Sequence, residues 1–287
     1  MDGHQKTEKF SNFYPISRKQ RSPFAEAIIL LSEQKIKSAV KTKSFHIDLF
    51  KQIDSTSEYL KSVKNSNKLH ICTAEMQTHG KGRFQRRWHS PFGQNIYLSL
   101  KYAFNKNISA LSGLSLVCGI AVCNAIETVC RPPQDILIKW PNDIICDDKK
   151  LAGILVEIEV KTHELYSVII GIGLNTNMEA DNHKEINQHY TSVKKLTGIY
   201  QDRNQLCSAL ISQLIDILSS FEEEGFNPFL TFWKKRDYLF EKPVRLKSGQ
   251  QEFHGKGAGI NEHGCLLLRL SDSSQRAFFS GDTTLLK

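Results

Sequence analysis

The sequence predicts an α+β fold: helices packed on one mixed β-sheet, followed by a small all-β unit. Two observations carry this. Up to about residue 234, β-branched runs bounded by turn residues alternate with helical apolar patterns, and after Tyr238 only short strands with Gly at their turns remain. A length of 287 residues with 40% hydrophobic content is enough for one large core and a small second one.

Residues 1–22 mix Lys, Arg, Gln, Ser and Asn without a period and read as a basic tail. Ser22-Pro23 is a candidate helix entry, with Ala25, Ile28, Ile29 and Ile36 spaced for one apolar face. His46–Ile53 alternates weakly as a strand, and a short helix over Ser57–Val63 takes Ser55 or Thr56 as its cap. Strands are expected at His70–Ala74, Asn95–Lys101, Ile136–Trp140, Leu151–Glu159 and Tyr166–Ile172. Leu111–Cys130 carries a long apolar helix pattern, and Asn204–Phe221 is an amphipathic helix with Leu206, Leu210, Leu214, Ile217 and Leu218 on one face. Pro243–Lys247, Glu252–Ile260, Cys265–Leu270 and Arg276–Ser280 are the short strands of a small barrel or sandwich, with a boundary near residues 234–242.

Charged residues at 24% and aromatics at 9% are ordinary for a globular chain. No apolar run is read as reaching the ~20 residues needed to cross a bilayer, and the N-terminus has no apolar core of a secretory signal. A net charge of +8, from 38 Lys+Arg against 30 Asp+Glu, suits anionic partners without choosing among nucleotides, acidic proteins and nucleic acid. The seven cysteines form no CxxC pair, and Cys118, Cys123 and Cys130 read as small buried thiols. The cytoplasm is therefore the expected compartment.

Four segments join functional residue types to permissive glycines. In Gln77–Trp88, Gly80 and Gly82 flank Lys81, and Arg83, Arg86 and Arg87 extend the charge. Such a loop fits a phosphate or carboxylate, although alone it reads equally well as a turn with solvated charges. Lys139-Trp140-Pro141-Asn142-Asp143 offers a phosphate contact, an amide and a metal-capable carboxylate at a strand end. Lys150 enters an apolar strand through Lys149–Leu155, where it can neutralise a buried anion; its bland reading is a surface lysine. Gly171-Ile172-Gly173-Leu174-Asn175 ends a hydrophobic strand with small residues and an amide, or is simply close backbone packing. Walker A, H-E-x-x-H and G-x-S-x-G patterns are absent, which disfavours a P-loop ATPase, a zinc hydrolase and a serine hydrolase.

In order, these segments resemble the biotin protein ligase family, the biotin–[acetyl-CoA-carboxylase] ligases. The matching runs are I-D-S-T-S (Ile53–Ser57), A-E-M-Q-T-H-G-K-G-R-F-Q-R-R-W (Ala74–Trp88) and S-P-F-G-Q-N-I-Y-L-S-L (Ser90–Leu100), then K-W-P-N-D (Lys139–Asp143), K-L-A-G-I-L-V-E (Lys150–Glu157) and G-I-G-L-N (Gly171–Asn175). The resemblance implies a biotin/lipoate-ligase, class II synthetase-like sheet and a C-terminal SH3-like barrel, divided as a tail over 1–30, a catalytic domain over 31–235 and a β domain over 236–287. It implies a two-step reaction: biotin and ATP give biotinoyl-AMP and pyrophosphate, and a lysine of the biotin carboxyl carrier protein subunit of acetyl-CoA carboxylase then takes the biotinoyl group.

Carried over by position, Ser55, Thr56, Ser57 and Gln77 would bind biotin, the ureido ring in particular. Lys81, Gly82 and Arg83 would wrap carboxylate and phosphate, with Arg83 and Lys150 at the reacting groups. Lys139, Asn142 and Asn175 would bind the nucleotide, Trp88 would pack near the base, and Asp143 would lie near Mg²⁺. The loop departs from the family's G-R-G-R-R-G: Lys81 and Phe84 stand for arginines and Gln85 for the third glycine, while Ser57 replaces a frequent asparagine. The resemblance leaves monomer or homodimer open. No recognition-helix pattern is visible in residues 1–22, so a ligase without repressor function or specific DNA binding is expected. The alternatives are a lipoate or octanoate relative of the same fold and a nucleic-acid-binding protein built on the basic surface.

Overall fold

The computed structural model describes residues 27–42, 44–63, 69–104, 108–160, 166–179 and 188–286. Most of the tail expected over 1–30, and the Ser22-Pro23 helix entry, lie outside them. The larger unit contains α1 (Glu33–Ala39), β1 (His46–Phe50), α2 (Thr56–Ser62), β2 (Leu69–Ala74), β3 (Ile96–Phe104), α3 (Leu114–Cys130), β4 (Leu137–Lys139), β5 (Asp143–Cys146), β6 (Lys149–Val160), β7 (Tyr166–Leu174), α4 (Val193–Thr197), α5 (Arg203–Glu224) and α6 (Leu230–Lys234). Its seven strands form one sheet in the order β1-β2-β3-β7-β6-β5-β4. Only β1 and β2 run parallel; every other pair is antiparallel, so the sheet is mixed.

Strand register divides the sheet into two unlike faces. Ile71, Leu100, Ile170 and Val156 lie in one cross-strand row, Leu98, Ile172 and Ile154 in another, and all join the main core beneath the helices. The alternate residues, Ser99, Gly171 and Leu155 in one row and Lys101, Ile169 and Glu157 in the next, face the α2 side. Period-two alternation thus makes one face apolar and leaves the other mostly small or polar.

The helices follow from local signals. Ser55 caps α2 by accepting from the Glu58 N–H, and Asp202 caps α5 through the Asn204 N–H. The apolar stripe of α5, from Leu206 to Phe221, packs on α3 and is buried. Lys101 is buried on the α2 face; its Nζ donates to Leu60 O and Val63 O at the end of α2 and pairs with Glu159 at 3.1 Å.

Two expectations need correction. Among the described residues the first helix begins at Glu33, capped by Ser32, so the apolar face expected over Ala25–Ile36 is not helical at Ile28 and Ile29. Ile28 and Ile29 precede it as exposed, non-helical residues, because Glu75, Arg203 and Asn204 hold this segment through its backbone groups. Second, the segment Ile108–Cys130 is in fact long and apolar enough to cross a membrane. Its residues are mostly buried within this unit: α3 hides Leu116, Val117, Ile120, Ala121 and Ile126 against α5 and the sheet. The seven cysteines are free thiols; burial pushes those of Cys118, Cys123 and Cys207 up to about 12.

The smaller unit contains β8 (Pro243–Ser248), β9 (Gln251–Ile260), β10 (Leu266–Arg269), β11 (Gln275–Phe278) and β12 (Asp282–Leu285). They form an antiparallel sheet in the order β11-β10-β9-β8-β12. Alternating Val244 and Leu246 point inward and join Leu266, Leu268 and Phe278. This unit docks on the turn between β4 and β5: Trp140 Nε1 donates to Gly264 O, and Thr283 Oγ1 donates to Trp140 O at 2.9 Å.

Candidate active site

The α2 face of the large sheet holds a cleft of about 930 Å³. Of the residues proposed from sequence, Thr56, Ser57, Gln77, Lys81, Gly82, Arg83, Trp88, Lys139, Asn142, Asp143, Lys150 and Asn175 all line it. Ser55 does not; it is 2% exposed, caps α2 and contacts Ser57 Oγ at 3.0 Å.

One end of the cleft is a neutral polar pocket. The Gln77 Oε1 accepts from Thr56 N at 3.0 Å and from Thr56 Oγ1 at 3.1 Å, and Gln77 Nε2 donates to Ser90 Oγ. Ser99 Oγ lies 2.7 Å from Thr56 Oγ1. Helix start, β2–β3 connection and mid-strand β3 are therefore fixed to one another by short side-chain bonds.

The other end is cationic. Lys150 Nζ pairs with Asp143 Oδ1 at 2.8 Å and lies 5.2 Å from the centre of a Trp88 ring. The hairpin of β4 and β5 places Lys139 opposite Asp143 in register. Burial holds the Lys139 ammonium below its ordinary value, against the upward pull of Asp143 and Asp282. Arg83 is lowered by burial in the same way; its Nη1 donates to Asn142 Oδ1 at 3.3 Å and to Gly281 O at 3.1 Å. Desolvated cations are poorly satisfied without an anion, so this end is built for a charged ligand.

The glycine loop is a small hairpin. Lys81 pairs with Arg87 as an antiparallel bridge, Trp88 N donates to Gly80 O, and Gly82 N donates to Arg86 O at 2.8 Å. The Gly82 N–H expected to meet a ligand is thus turned to Arg86, and this rung must open before it can do so. At the tip, Phe84 and Gln85 both have left-handed φ, 53° and 60°, where the family pattern has arginine and glycine. Lys81 points to Glu58 on α2, with Nζ to Oε1 at 2.6 Å, and therefore ties the hairpin to the helix that starts the polar pocket.

Between the two ends lies a floor without side chains. A Cβ on Gly173 would come within 2.2 Å of Trp88 Cε2, and one on Gly153 within 2.9 Å of its Cζ3. These two glycines are register partners on β7 and β6, which is why two distant motifs seat a single indole. Among the described residues the buried Trp88 Nε1 has no acceptor within reach. Gly173→Ala is expected to expel the ring, shifting Trp88 fluorescence and lowering adenylation at least about tenfold; unchanged emission would show that the indole does not sit there.

Asn175 is 4% exposed, with Nδ2 donating to Thr191 O at 3.0 Å and to Lys150 O at 3.4 Å. It fixes the chain around Lys150 as well as facing the cleft. Sequence reading missed the wall made by Asp282, Thr283 and Thr284 of β12, and by Gln188 and Tyr190. Arg86 pairs with Asp282, so this wall also holds the hairpin. The Arg-Asp pairing across such a separation has no local sequence signal.

A mixed sheet that sets a neutral polar pocket beside desolvated cations suits a ligase-type enzyme, which joins an uncharged polar group to anionic ones. Comparison with known proteins agrees. Residues 49–175 match the Biotin/lipoate A/B protein ligase family, and residues 239–284 match the Biotin protein ligase C terminal domain. The chain is 37% identical over 261 residues to the bifunctional ligase/repressor BirA of Salmonella typhimurium, covering 91% of this chain and 80% of that protein. It is 30% identical to the biotin--[acetyl-CoA-carboxylase] ligase of Paracoccus denitrificans over 199 residues, covering 68% of this chain and 82% of the relative. Among solved structures, the biotin protein ligase from Aquifex aeolicus in complex with biotin and ATP superimposes with a TM-score of 0.72 at 28% identity, covering 84% of this chain and 99% of that one. The chain belongs to the biotin protein ligase family.

Proposed function

We propose that the chain activates biotin with ATP, forming biotinoyl-AMP and pyrophosphate, and transfers the biotinoyl group to a lysine of a biotin carboxyl carrier protein. The observation that carries this reading is the pairing, in one cleft, of the Thr56–Gln77–Ser99 pocket with the Lys150, Lys139 and Arg83 cations. A ureido ring offers both donors and acceptors, which suits hydroxyls and an amide; an octanoyl or lipoyl chain would leave them unmatched.

In the first step a biotin carboxylate oxygen attacks the α-phosphorus and pyrophosphate leaves. A carboxylate is already a nucleophile, so the work of the site is to gather anions and stabilise charge on the phosphoryl oxygens. Lys150 serves the reacting carboxylate and α-phosphate, Arg83 the phosphoryl oxygens, and Lys139 and Asn142 the phosphate chain. Asn175 Oδ1 has the right polarity to accept from an adenine amino group, and Trp88 packs beside the base. In the second step the carrier amine attacks the acyl carbon, AMP leaves, and the amine loses its proton. The hairpin around Gly82 shields the acyl-adenylate from water.

A Mg²⁺ that keeps several waters and relies on substrate phosphates needs few protein ligands, and one carboxylate beside an amide fits it. Asp143, with Asn142, would hold it, and it would neutralise charge on the phosphates. The cytoplasm remains the compartment that free thiols and the carrier imply.

Pyrophosphate release tests the proposal directly. Biotin is expected to trigger it from ATP, octanoate and lipoate to fail, and a carrier domain to become biotinylated. Release with octanoate but not biotin would replace this reading by the lipoate-type one.

A further inference from the structure

The α2 face of the sheet carries a second polar cluster, at the β1 edge and two strands away from Ser99. His46 and His70 are register partners on the parallel strands β1 and β2, and Asp48 follows His46 by two residues. Period two therefore brings all three side chains to one face. His46 Nε2 lies 3.1 Å from Asp48 Oδ1, and His70 Nε2 lies 2.7 Å from Asp48 Oδ2. The two rings meet edge to face with centroids 4.6 Å apart. The three ligand atoms all lie within 4.8 Å of one another. Bonds of about 2.0–2.2 Å to one ion place its ligands roughly 3–4 Å apart, so small side-chain rotations close this set around a metal.

We propose that His46, Asp48 and His70 form a binding site for a divalent transition cation of the zinc class. Two imidazoles and one carboxylate suit Zn²⁺, Co²⁺ or Ni²⁺, whereas Mg²⁺ and Ca²⁺ require oxygen ligands. The site is graded in access: the His70 side chain is 7% exposed, Asp48 25% and His46 51%. The buried side supplies the fixed ligands, and the His46 side stays open for water to complete the coordination. Support behind the ligands is present, since Tyr59 OH on α2 donates to Asp48 Oδ2 at 3.0 Å. The nearest cation along the register, Lys101, is drawn off to the end of α2 and to Glu159. A bound ion would clamp the edge strand β1 to β2 and, through Tyr59, to the helix that begins at the polar pocket. It is separate from Asp143 and from the phosphate end of the cleft.

The test uses the full chain without a histidine tag, free of nucleotide and stripped with chelator. Zn²⁺ titration by calorimetry is expected to give roughly one ion per chain, and Zn²⁺ to raise the thermal midpoint. His46→Gln, at an exposed position, is expected to weaken binding at least about tenfold. Asp48→Asn is expected to abolish both binding and the thermal shift; circular dichroism shows whether each variant is folded. Co²⁺ is expected to give visible bands without a thiolate charge-transfer band, and excess Mg²⁺ not to compete. No binding by the wild-type chain overturns the proposal, as do unchanged binding in folded His46→Gln or a thiolate band from a neighbour such as Cys72.

Discussion

Lys150→Ala is expected to slow biotin-dependent pyrophosphate release by about 10²–10³-fold, the loss seen when one fixed transition-state donor is removed. The lysine sits on β6 with Nζ 2.8 Å from Asp143 and its side chain 16% exposed. Between the two motifs its position is over-determined: Lys150 N donates to His189 O, Thr191 N donates to Lys150 O, and Asn175 Nδ2 reaches the same carbonyl. The truncation therefore removes a charge without releasing the strand. Asp143 keeps Lys139 across the β4–β5 pair, so the fold is expected to survive with little change in urea midpoint. Lys150→Arg retains charge but not the compact ammonium, and is expected to fall between the two. Single-turnover transfer from preformed biotinoyl-AMP separates the steps. Adenylation within about threefold of wild type would remove Lys150 from the chemistry.

The largest expected loss of stability comes from a pair far from the chemistry. Arg203 and Glu75 meet at 2.7 Å with side chains 0% and 1% exposed. The guanidinium also donates to Asn95 O and Ile29 O, while Glu75 accepts from Leu31 N. Arg203→Ala leaves Glu75 as an uncompensated buried charge and frees the buried Asn95 carbonyl and the Ile29 carbonyl, for an expected loss of about 3–5 kcal/mol in urea unfolding. Adding Glu75→Gln is expected to restore part of it. A loss below about 1 kcal/mol would mean that the Arg203–Glu75 pair is worth no more than an exposed one.

The cleft was legible in sequence to the extent that its residues cluster around glycines. Gly80-Lys81-Gly82-Arg83, Lys139–Asp143, Lys150 and Gly171–Asn175 announce themselves by unusual pairings of charge with backbone freedom, and all converge. Ser55 is expected both as a ligand residue and as a cap, and the second of these is seen at the start of α2. Other features were hidden for physical reasons. Strand β5 was not expected, since Lys139–Asp143 carries the signals of a strand end and the short run after it lies directly behind the chain reversal that separates β4 from β5. Asp282–Thr284 has ordinary composition, and its place in the cleft depends on how two units dock. Ile28 and Ile29 fit a helical face in spacing, but the Ile29 N–H donates to Tyr200 OH and its carbonyl accepts from Arg203. Periodicity cannot register such a competing partner.

The β12 wall also has a temporal meaning. Thr56 and Thr284 line the same cleft, although more than two hundred residues of chain separate them. A nascent chain can complete the seven-stranded sheet, and with it both substrate pockets, while Asp282–Thr284 are still inside the ribosome. In that interval the hairpin around Gly82 has neither Asp282 nor the Gly281 carbonyl to hold it. The contacts that β12 supplies to this hairpin are thus made later in synthesis than the sheet and the Thr56–Gln77 pocket, so the pocket precedes its closing wall.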